Sequence, residues 1–303
     1  MNLFTVHPFT LRTNVYAELL PHLRCPSCSN ILSLRRPESD SIGEIVAGLL
    51  ECATCGADYP IHDGIADFLG APRPPSLAQV VNELPPTAWG YERFWRPFAL
   101  TLFTGERFPY RRELPLIALL AEPWRGGLYL DVACGNGLYA RALTRAMRNA
   151  PDRGAKAGHV VALEHAFPML VQGRKFARAA GLRISFVRAR AQALPIAAGA
   201  AAGVVIGGSL NEIGDLDGCL AEARRALAND GRFVAMTLTR AASFAGRMVQ
   251  RMVGIGGIRF WTPDDLVRRF EQHGFRTLGR WCCGIVVFTW SVKRKTSSVG
   301  REA

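Results

Sequence analysis

Residues 128–140 read LYLDVACGNGLYA, and this stretch decides the fold class. An apolar run ends in Asp131, small residues with two glycines follow, and a helix-like pattern begins at Leu138. A turn of this kind brings backbone N–H groups against a polar ligand at a helix N-terminus. The stretch therefore predicts a strand, a tight turn and a helix that together hold a nucleotide-like ligand.

Downstream of this stretch, strand-like and helix-like segments alternate. Strand patterns at 160–164, 184–189, 203–208 and 232–238 follow or precede helical patterns at 138–149, 167–180 and 218–228. This alternation predicts a parallel, doubly wound α/β sheet. The end differs, because a helical pattern at 263–273 is followed by FRTLGRWCCG and IVVFTWSVKR. Two strands joined by so short a connection are expected to be antiparallel.

Upstream of the stretch, the chain divides into three parts. Residues 71–88 are rich in proline and predict a semi-rigid linker. Helices are expected over 89–122, broken at Pro97, Pro109 and Pro115. We therefore expect an N-terminal segment with a metal module over 1–70, a linker and helical cap over 71–127, and the main domain over 128–303.

Four of the eight cysteines form two C-x-x-C pairs, Cys25–Cys28 and Cys52–Cys55. Two such pairs place four thiolates tetrahedrally about zinc, with the apolar segments between them forming a hairpin. Disulfides and a redox pair are the alternatives, and both are less expected in a cytosolic chain. Because four thiolates leave no open coordination position, the predicted Zn²⁺ site is structural.

Charge and hydropathy limit the other partners. The 303 residues carry a formal charge of +12, which fits a nucleic acid or an acidic membrane surface, although scattered arginines locate no interface. Aromatic and basic residues interleave over 91–112, as in a base-stacking surface or in a lid over an apolar pocket. No transmembrane segment or secretory signal is visible, so a cytoplasmic location is expected.

A parallel sheet that ends in a hairpin resembles the class I S-adenosylmethionine (SAM) methyltransferases, which have a Rossmann-like seven-stranded sheet. Residues 23–69, with GADYPIHDGIADFL, resemble the short zinc ribbon found at the front of some of these enzymes. VVALEHAFPMLVQGRKF, FVRARAQALPI, EARRALANDGRFVAMTL and FWTPDDLVRRFEQHGF resemble a family of zinc-ribbon-bearing methyltransferases related to those of quinone and lipid biosynthesis. The resemblance spans most of 90–294.

The identity of the cofactor depends on Asp131. Residues 135–140 also satisfy G-x-G-x-x-A, a weak signal for a nicotinamide dinucleotide. A carboxylate at the end of the strand would repel a pyrophosphate, but it attracts the sulfonium and ammonium groups of SAM. The alternative for Asp131 is a charge that stabilises the helix N-terminus.

Further cofactor contacts follow from position and from the resemblance. Glu164 ends the second strand, where an acid accepts hydrogen bonds from ribose hydroxyls, and His165 is expected to line the adenine pocket. LDVACGNG resembles the methyltransferase signature of an acid followed by alternating small residues, and this resemblance implies that Ala133, Gly135, Asn136 and Gly137 contact the cofactor. Backbone near Ala191 and Gln192 is expected to hold adenine. Two positions depart from the family, because Arg190 and Ala202 stand where acids are usual, which predicts weaker SAM binding or a degenerate site.

Catalytic residues are expected after the fourth strand, at the ligand-binding edge of the sheet. Asn211 is expected to orient the acceptor, or else to cap a turn, and Glu212 to accept a proton. Three functions fit the sequence. They are a methyltransferase on a small, apolar or lipid- or quinone-like acceptor, an RNA methyltransferase that uses the ribbon and arginines, and a non-catalytic partner-binding protein.

Overall fold

A computed structural model describes residues 15–39, 45–69, 90–149 and 157–294. The predicted linker over 71–88 lies outside the described residues. Within them, the strands are β1 (Ser33–Ser39), β2 (Ile45–Glu51), β3 (Asp58–His62), β4 (Ile65–Asp67), β5 (Gly127–Val132), β6 (Gly158–Glu164), β7 (Ile184–Arg188), β8 (Ala201–Gly207), β9 (Leu227–Leu238), β10 (Phe275–Cys283) and β11 (Val286–Lys293).

The α-helices of the described residues are α1 (Arg96–Thr104), α2 (Tyr110–Ala121), α3 (Leu138–Arg148), α4 (Phe167–Ala179), α5 (Leu216–Ala226), α6 (Phe244–Gly254) and α7 (Pro263–Gln272). A π-helical turn at Tyr91–Trp95 leads into α1, and short 3-10 helices cover Ala17–His22 and Pro123–Arg125. No helix among the described residues has the length and apolar character to cross a membrane.

The strands form one mixed sheet in the order β1-β2-β3-β4-β7-β6-β5-β8-β9-β11-β10. Strands β7, β6, β5, β8 and β9 run parallel, with Asp131 of β5 beside Ala162 of β6. Strand β11 pairs antiparallel with both β9 and β10. This confirms the predicted parallel sheet that ends in a hairpin.

Alternation along the central strands divides the core between the two faces of the sheet. In β5, Leu128, Leu130 and Val132 join one buried cluster, whereas Tyr129 joins the other. Helices α5 and α7 cover the first face, and α2, α3 and α4 cover the second. Because both faces are covered, the carboxyl ends of the parallel strands are left as the place for a ligand.

The cysteine-bearing segment is continuous with this sheet, which the sequence did not predict. Its hairpin of β1 and β2 forms as expected, with Leu34 beside Leu50. The following strand β4 then pairs in parallel with β7, placing Ala66 beside Val187. The ribbon therefore extends the edge of the main sheet by four strands.

The proline predictions for the helical cap are partly wrong. Pro109 is the N-cap of α2 and Pro97 lies in the first turn of α1, positions where proline starts a helix. Pro115, however, lies inside α2 and does not end it. Ile117 and Leu120 of α2 are buried against the sheet, and this packing holds the helix together across the missing N–H donor.

Candidate functional site

The turn after β5 has the backbone geometry that its glycines suggest. Gly135 and Gly137 have φ of 54° and 74°, the left-handed region that glycine enters without steric cost. Ala133 also lies there, with φ of 52°, although it carries a Cβ. The Cys134 N–H donates to the Leu163 carbonyl at 3.0 Å, which fastens the turn to the end of β6. Helix α3 begins immediately after this turn.

Asp131 is buried at the start of this turn. Its Oδ2 accepts a hydrogen bond from the Ala140 N–H in the first turn of α3, at 2.7 Å. Burial raises the pKa of Asp131 to about 7, against the opposing effects of this hydrogen bond and of Arg96 and Arg141. The side chain therefore stabilises the helix N-terminus, which was the alternative drawn from the sequence, and it also borders the cleft described below.

Glu164 connects the turn to the end of β6. Its Oε2 accepts from the Gly135 N–H at 3.0 Å, and its Oε1 accepts from the His165 and Ala166 N–H groups at 2.8 and 3.1 Å. Burial raises the pKa of Glu164, but the hydrogen bonds and the His165 ring, whose Nδ1 lies 2.6 Å from Oε1, lower it overall. Glu164 is thus a carboxylate that fixes the glycine turn.

A cleft opens above these residues at the carboxyl ends of β5, β6 and β8. It encloses about 640 Å³, part of it open to solvent. Its walls come from the glycine turn, from the strand ends, and from helices α1, α3 and α4. The residues that line it are Arg96, Asp131, Ala133, Cys134, Gly135, Asn136, Leu138, Tyr139, Glu164, Met169, Gly207, Gly208, Ser209 and Glu212.

Asn136 presents the least satisfied polar group in this cleft. The residue is 1% exposed, yet neither its Nδ2 nor its Oδ1 has a hydrogen-bond partner among the described residues. A buried amide left without partners costs about 1–3 kcal/mol. A ligand in the cleft could supply the missing hydrogen bonds, which agrees with the expected contact of Asn136 with the cofactor.

Arg96 reaches the cleft from α1, and the sequence did not single it out. Its guanidinium lies 2.5 Å from Oε1 of the buried Glu113 and 5.2 Å from the centre of the Tyr139 ring. The Tyr139 hydroxyl donates to the same carboxylate. The segment expected to form a lid thus supplies a fixed cation to the wall of the cleft, through a contact between α1, α2 and α3 that no local pattern reveals.

The contacts of Asn211 contradict the prediction that it orients the acceptor. Its Nδ2 donates to the carbonyls of Leu238 and Arg259 at 2.8 and 2.6 Å, and its Oδ1 accepts from the Leu238 N–H at 2.9 Å. Because the amide is saturated by backbone groups, it fastens loops together and does not orient an acceptor.

Glu212 lies at the mouth of the cleft, as predicted. Its surface remains accessible, but partial enclosure by the protein, followed by the charge of Glu164, raises its pKa. The neighbouring Ser209 hydroxyl donates to the Ala133 carbonyl at 3.1 Å, which joins the end of β8 to the glycine turn. Glu212 is therefore positioned to exchange a proton with a molecule in the cleft.

The other predicted cofactor contacts lie outside the cleft lining. Gly137 is the N-cap of α3, and the His165 ring bonds to Glu164. Gln192 donates from Nε2 to the Asp215 carbonyl at 3.2 Å. Contact of adenine with His165, Ala191 or Gln192 stays a prediction.

The two residues that depart from the family pattern occupy different places. Arg190 is exposed and closes a small bridge with Ala193. Ala202 lies near the amino end of β8, the end opposite to the cleft.

The four cysteines of the ribbon converge as predicted. All four Sγ atoms lie within 4.8 Å of one another. The Cys25–Cys55 and Cys28–Cys52 separations are 3.6 and 3.4 Å. These distances exceed a disulfide bond of about 2.05 Å and approach the edge of a tetrahedron with metal–sulfur bonds of about 2.3 Å. The donor set therefore fits a tetrahedral thiophilic cation.

Comparison with known proteins matches the cleft residues other than Arg96 to a known domain. Residues 130–231 match the family model described as "Methyltransferase domain". A protein of Arabidopsis thaliana named as an uncharacterized chloroplastic methyltransferase is 27% identical over 232 residues, covering 71% of this chain. Demethylmenaquinone methyltransferase of Thermus thermophilus is 34% identical over 132 residues, covering 44% of this chain and 55% of that protein.

Solved structures agree on the fold. Geranyl diphosphate C-methyltransferase from Streptomyces coelicolor, solved with Mg²⁺, geranyl diphosphate and S-adenosyl-L-homocysteine, superposes with a TM-score of 0.50 at 13% identity. The superposition covers 61% of this chain and 80% of that chain. This chain spans about three fifths of the length of the plant relative, 61%. Residues 130–231 therefore match a methyltransferase domain, and the chain shares its fold with a solved methyltransferase.

Proposed function

We propose that the chain is a SAM-dependent methyltransferase that acts on a small apolar acceptor of the lipid or quinone type. The observation that carries the proposal is the charge of the cleft. Asp131, Glu164 and Glu212 contribute three carboxylates, whereas Arg96 contributes one guanidinium that is already paired with Glu113. The cleft is thus acidic within a protein whose formal charge is +12.

An acidic cleft distinguishes between the two cofactor classes. SAM carries a sulfonium and an ammonium group, and both are attracted to carboxylates in a partly buried site. A dinucleotide brings a pyrophosphate, which the same carboxylates repel. The match of the domain to methyltransferases supports the same choice.

Three side chains of the cleft have a definite part in cofactor binding under this proposal. Asn136 would satisfy its unpaired amide on the cofactor, and Asp131 would face its cationic groups. Glu164 would hold the Gly135 backbone in place and present its remaining lone pairs to the ribose hydroxyls. SAM, when bound, supplies a methyl group on an already activated sulfonium, so the chain's main task is to hold the acceptor in line with it.

Glu212 would take the proton that the acceptor loses. Its raised pKa makes it a better base than an ordinary surface carboxylate, and its place at the mouth allows the proton to leave to solvent. Saturation of Asn211 by backbone groups keeps the loop before Glu212 in one position. The lipid- or quinone-type acceptor is supported by the demethylmenaquinone methyltransferase relative.

We also propose that the four cysteines bind one structural Zn²⁺. Four thiolates leave no open coordination position for substrate. Bound metal would hold together the base of the ribbon, whose last strand β4 is paired with β7.

Isothermal titration and methyl transfer test the proposed activity. The zinc-loaded chain is expected to bind SAM and S-adenosylhomocysteine and to ignore NADH. Transfer of labelled methyl from SAM to demethylated quinones or to a lipid extract, measured after extraction into organic solvent, should exceed transfer to RNA. Binding of NADH without binding of SAM would overturn the proposal, and transfer to RNA alone would overturn its acceptor.

A further inference from the structure

Helix α6 is an amphipathic helix whose apolar side chains face solvent. None of its residues is buried. Phe244 is 73% exposed and Ile255, directly after the helix, is 81% exposed. The remaining exposed large apolar residues here are Met248, Val249, Met252 and Val253. A group of exposed large apolar side chains of this kind marks an interaction site.

The attachment of α6 fixes which side of the helix faces outward. Gln250 accepts from the Ala241 N–H and donates to the Thr239 carbonyl, both at 2.8 Å, so its side of the helix faces the protein. At 100° per residue, Met248 and Met252 lie roughly 160–200° away from Gln250. The Met248 and Met252 side chains therefore point away from the protein.

The charged residues of the segment that carries α6 are all arginines. Arg240, Arg247, Arg251 and Arg259 are exposed within the segment 239–261, and the same segment contains no Asp or Glu. An outward apolar stripe bordered by arginines is the composition of helices that lie in the interface of an anionic membrane. A protein partner would instead require a complementary shape, and nucleic acid would not require the apolar stripe.

The segment is attached to the cleft. The Arg240 N–H donates to the Trp261 carbonyl at 2.9 Å, which joins the two ends of the segment 239–261, called the α6 excursion below. Asn211, the neighbour of Glu212, bonds to Leu238 before the excursion and to Arg259 near its end. A surface that engages α6 therefore lies beside the mouth of the cleft.

A second apolar surface lies at the same edge of the sheet. On the turn before α1 and on α1 itself, Trp95, Phe98 and Leu102 are exposed. The Phe103 carbonyl accepts from the Ile285 N–H at 2.9 Å, and the Ile285 carbonyl accepts from the Thr239 N–H at 2.7 Å. The end of α1 and the start of the α6 excursion thus meet at the turn between β10 and β11.

We propose that α6 docks the protein onto the surface of an anionic lipid bilayer, with the exposed face of α1 as a secondary contact. The apolar stripe enters the headgroup region, and the four arginines contact lipid phosphates. Docking brings the mouth of the cleft next to the bilayer, where an apolar acceptor resides. The docking itself does not depend on the proposed methyl transfer.

Vesicle sedimentation with the zinc-loaded chain of 303 residues tests the proposal. Without SAM or acceptor, the chain is expected to bind vesicles of phosphatidylcholine mixed with phosphatidylglycerol, and to bind pure phosphatidylcholine much more weakly. The Arg247→Gln/Arg251→Gln variant should lower the partition coefficient about 30-fold, since each arginine near such a surface contributes about 1 kcal/mol. High salt should weaken binding of the wild type more than that of this variant.

The apolar stripe is tested by Phe244→Ser/Ile255→Ser, which should lower the partition coefficient about tenfold or more. Ile31→Ser is the matched control, because Ile31 is 70% exposed on the ribbon and should leave binding unchanged. Circular dichroism and thermal unfolding of each variant show whether the fold is retained.

Three results would overturn the docking proposal. One is equal vesicle binding by the wild type and both α6 variants, and another is no vesicle binding by the folded wild type. The third is a wild-type dimer in analytical ultracentrifugation that dissociates in Phe244→Ser/Ile255→Ser, because the occupant of the stripe would then be a second copy. Because no cofactor is present, failure here is distinguishable from failure of the methyl-transfer assay.

Discussion

Replacing Asp131 by Asn isolates the carboxyl on which the cofactor assignment depends. Asn keeps an oxygen that accepts the Ala140 N–H, so the start of α3 remains capped. What changes is the charge, inside a buried turn that faces the cleft. Stability should therefore improve while SAM binding weakens, and both effects should grow as the pH rises.

The expected magnitude follows from the pKa. Folding raises the pKa of Asp131 from 3.8 to about 7, chiefly through burial. A carboxyl raised in this way stabilises the fold most when protonated, and that contribution is lost as the pH rises through about 4 to 7. A tenfold change in proton affinity is worth about 1.4 kcal/mol, so wild type should lose about 2–3 kcal/mol relative to Asp131→Asn between pH 5 and pH 8.

Urea unfolding at pH 5 and pH 8 measures this difference, because the other titrating groups are common to both proteins. Asp58→Asn is the control, since Asp58 is exposed on β3. In isothermal titration at pH 8, Asp131→Asn should raise the Kd of SAM at least tenfold, as expected for loss of a charge-assisted contact worth about 1.5–3 kcal/mol. For the wild type, SAM affinity should fall below pH 7, where Asp131 must release a proton.

Two results would refute the reasoning. A stability difference that is identical at pH 5 and pH 8 would mean that Asp131 does not change its protonation in this range. An unchanged SAM affinity in the variant would mean that the charge serves only the start of α3.

Three further predictions concern separate parts of the molecule. The purified chain should contain one zinc by elemental analysis. Cys28→Ser should lower both the zinc content and Tm, whereas the control Cys282→Ser should change neither. Full thermal stability after metal removal would exclude a structural role for the metal. Glu212→Gln should lower kcat about 10²- to 10⁴-fold and raise the SAM Kd much less than Asp131→Asn does, because Glu212 is exposed at the mouth of the cleft. A rate close to that of the wild type would remove Glu212 from the reaction. Ala133→Gly should relieve about 1–2 kcal/mol of left-handed strain at an entropic cost of about 0.5–1 kcal/mol, so Tm should rise slightly; a clear fall would show that the Ala133 methyl group contributes packing that outweighs its strain.

The parts of the fold that sequence predicts well are those set by local periodicity. The glycine turn, the parallel strands and the final hairpin were all predicted, because each is set by residues that are close together in the sequence. In the glycine turn these residues include Asp131 and Gly135. The convergence of the four cysteines was also predictable, since their spacing requires it.

Other features depend on contacts between distant parts of the chain. Strand β4 has only three residues, and its pairing with β7 leaves no local signal. Helix α6 is absent from the sequence prediction, although Phe244, Met248 and Met252 have helical spacing. That this apolar stripe faces solvent depends on packing, which the sequence does not show. Arg96 reaches the cleft only through its contact with Glu113, and Asn211 was assigned to catalysis because its backbone partners lie 27 and 48 residues away.

The pairing of β4 with β7 also determines which strand forms the exposed edge of the sheet, where another chain could pair. Without the ribbon, β7 would be an unpaired edge strand. Its sequence, ISFVR, is apolar and β-branched enough to pair with a strand of another chain. With the ribbon in place, the outer border becomes β1, SLRRPES, whose charges and proline discourage such pairing. The ribbon is therefore expected to shield β7 from such pairing. If the ribbon binds zinc as proposed, metal starvation is expected to show first as loss of solubility.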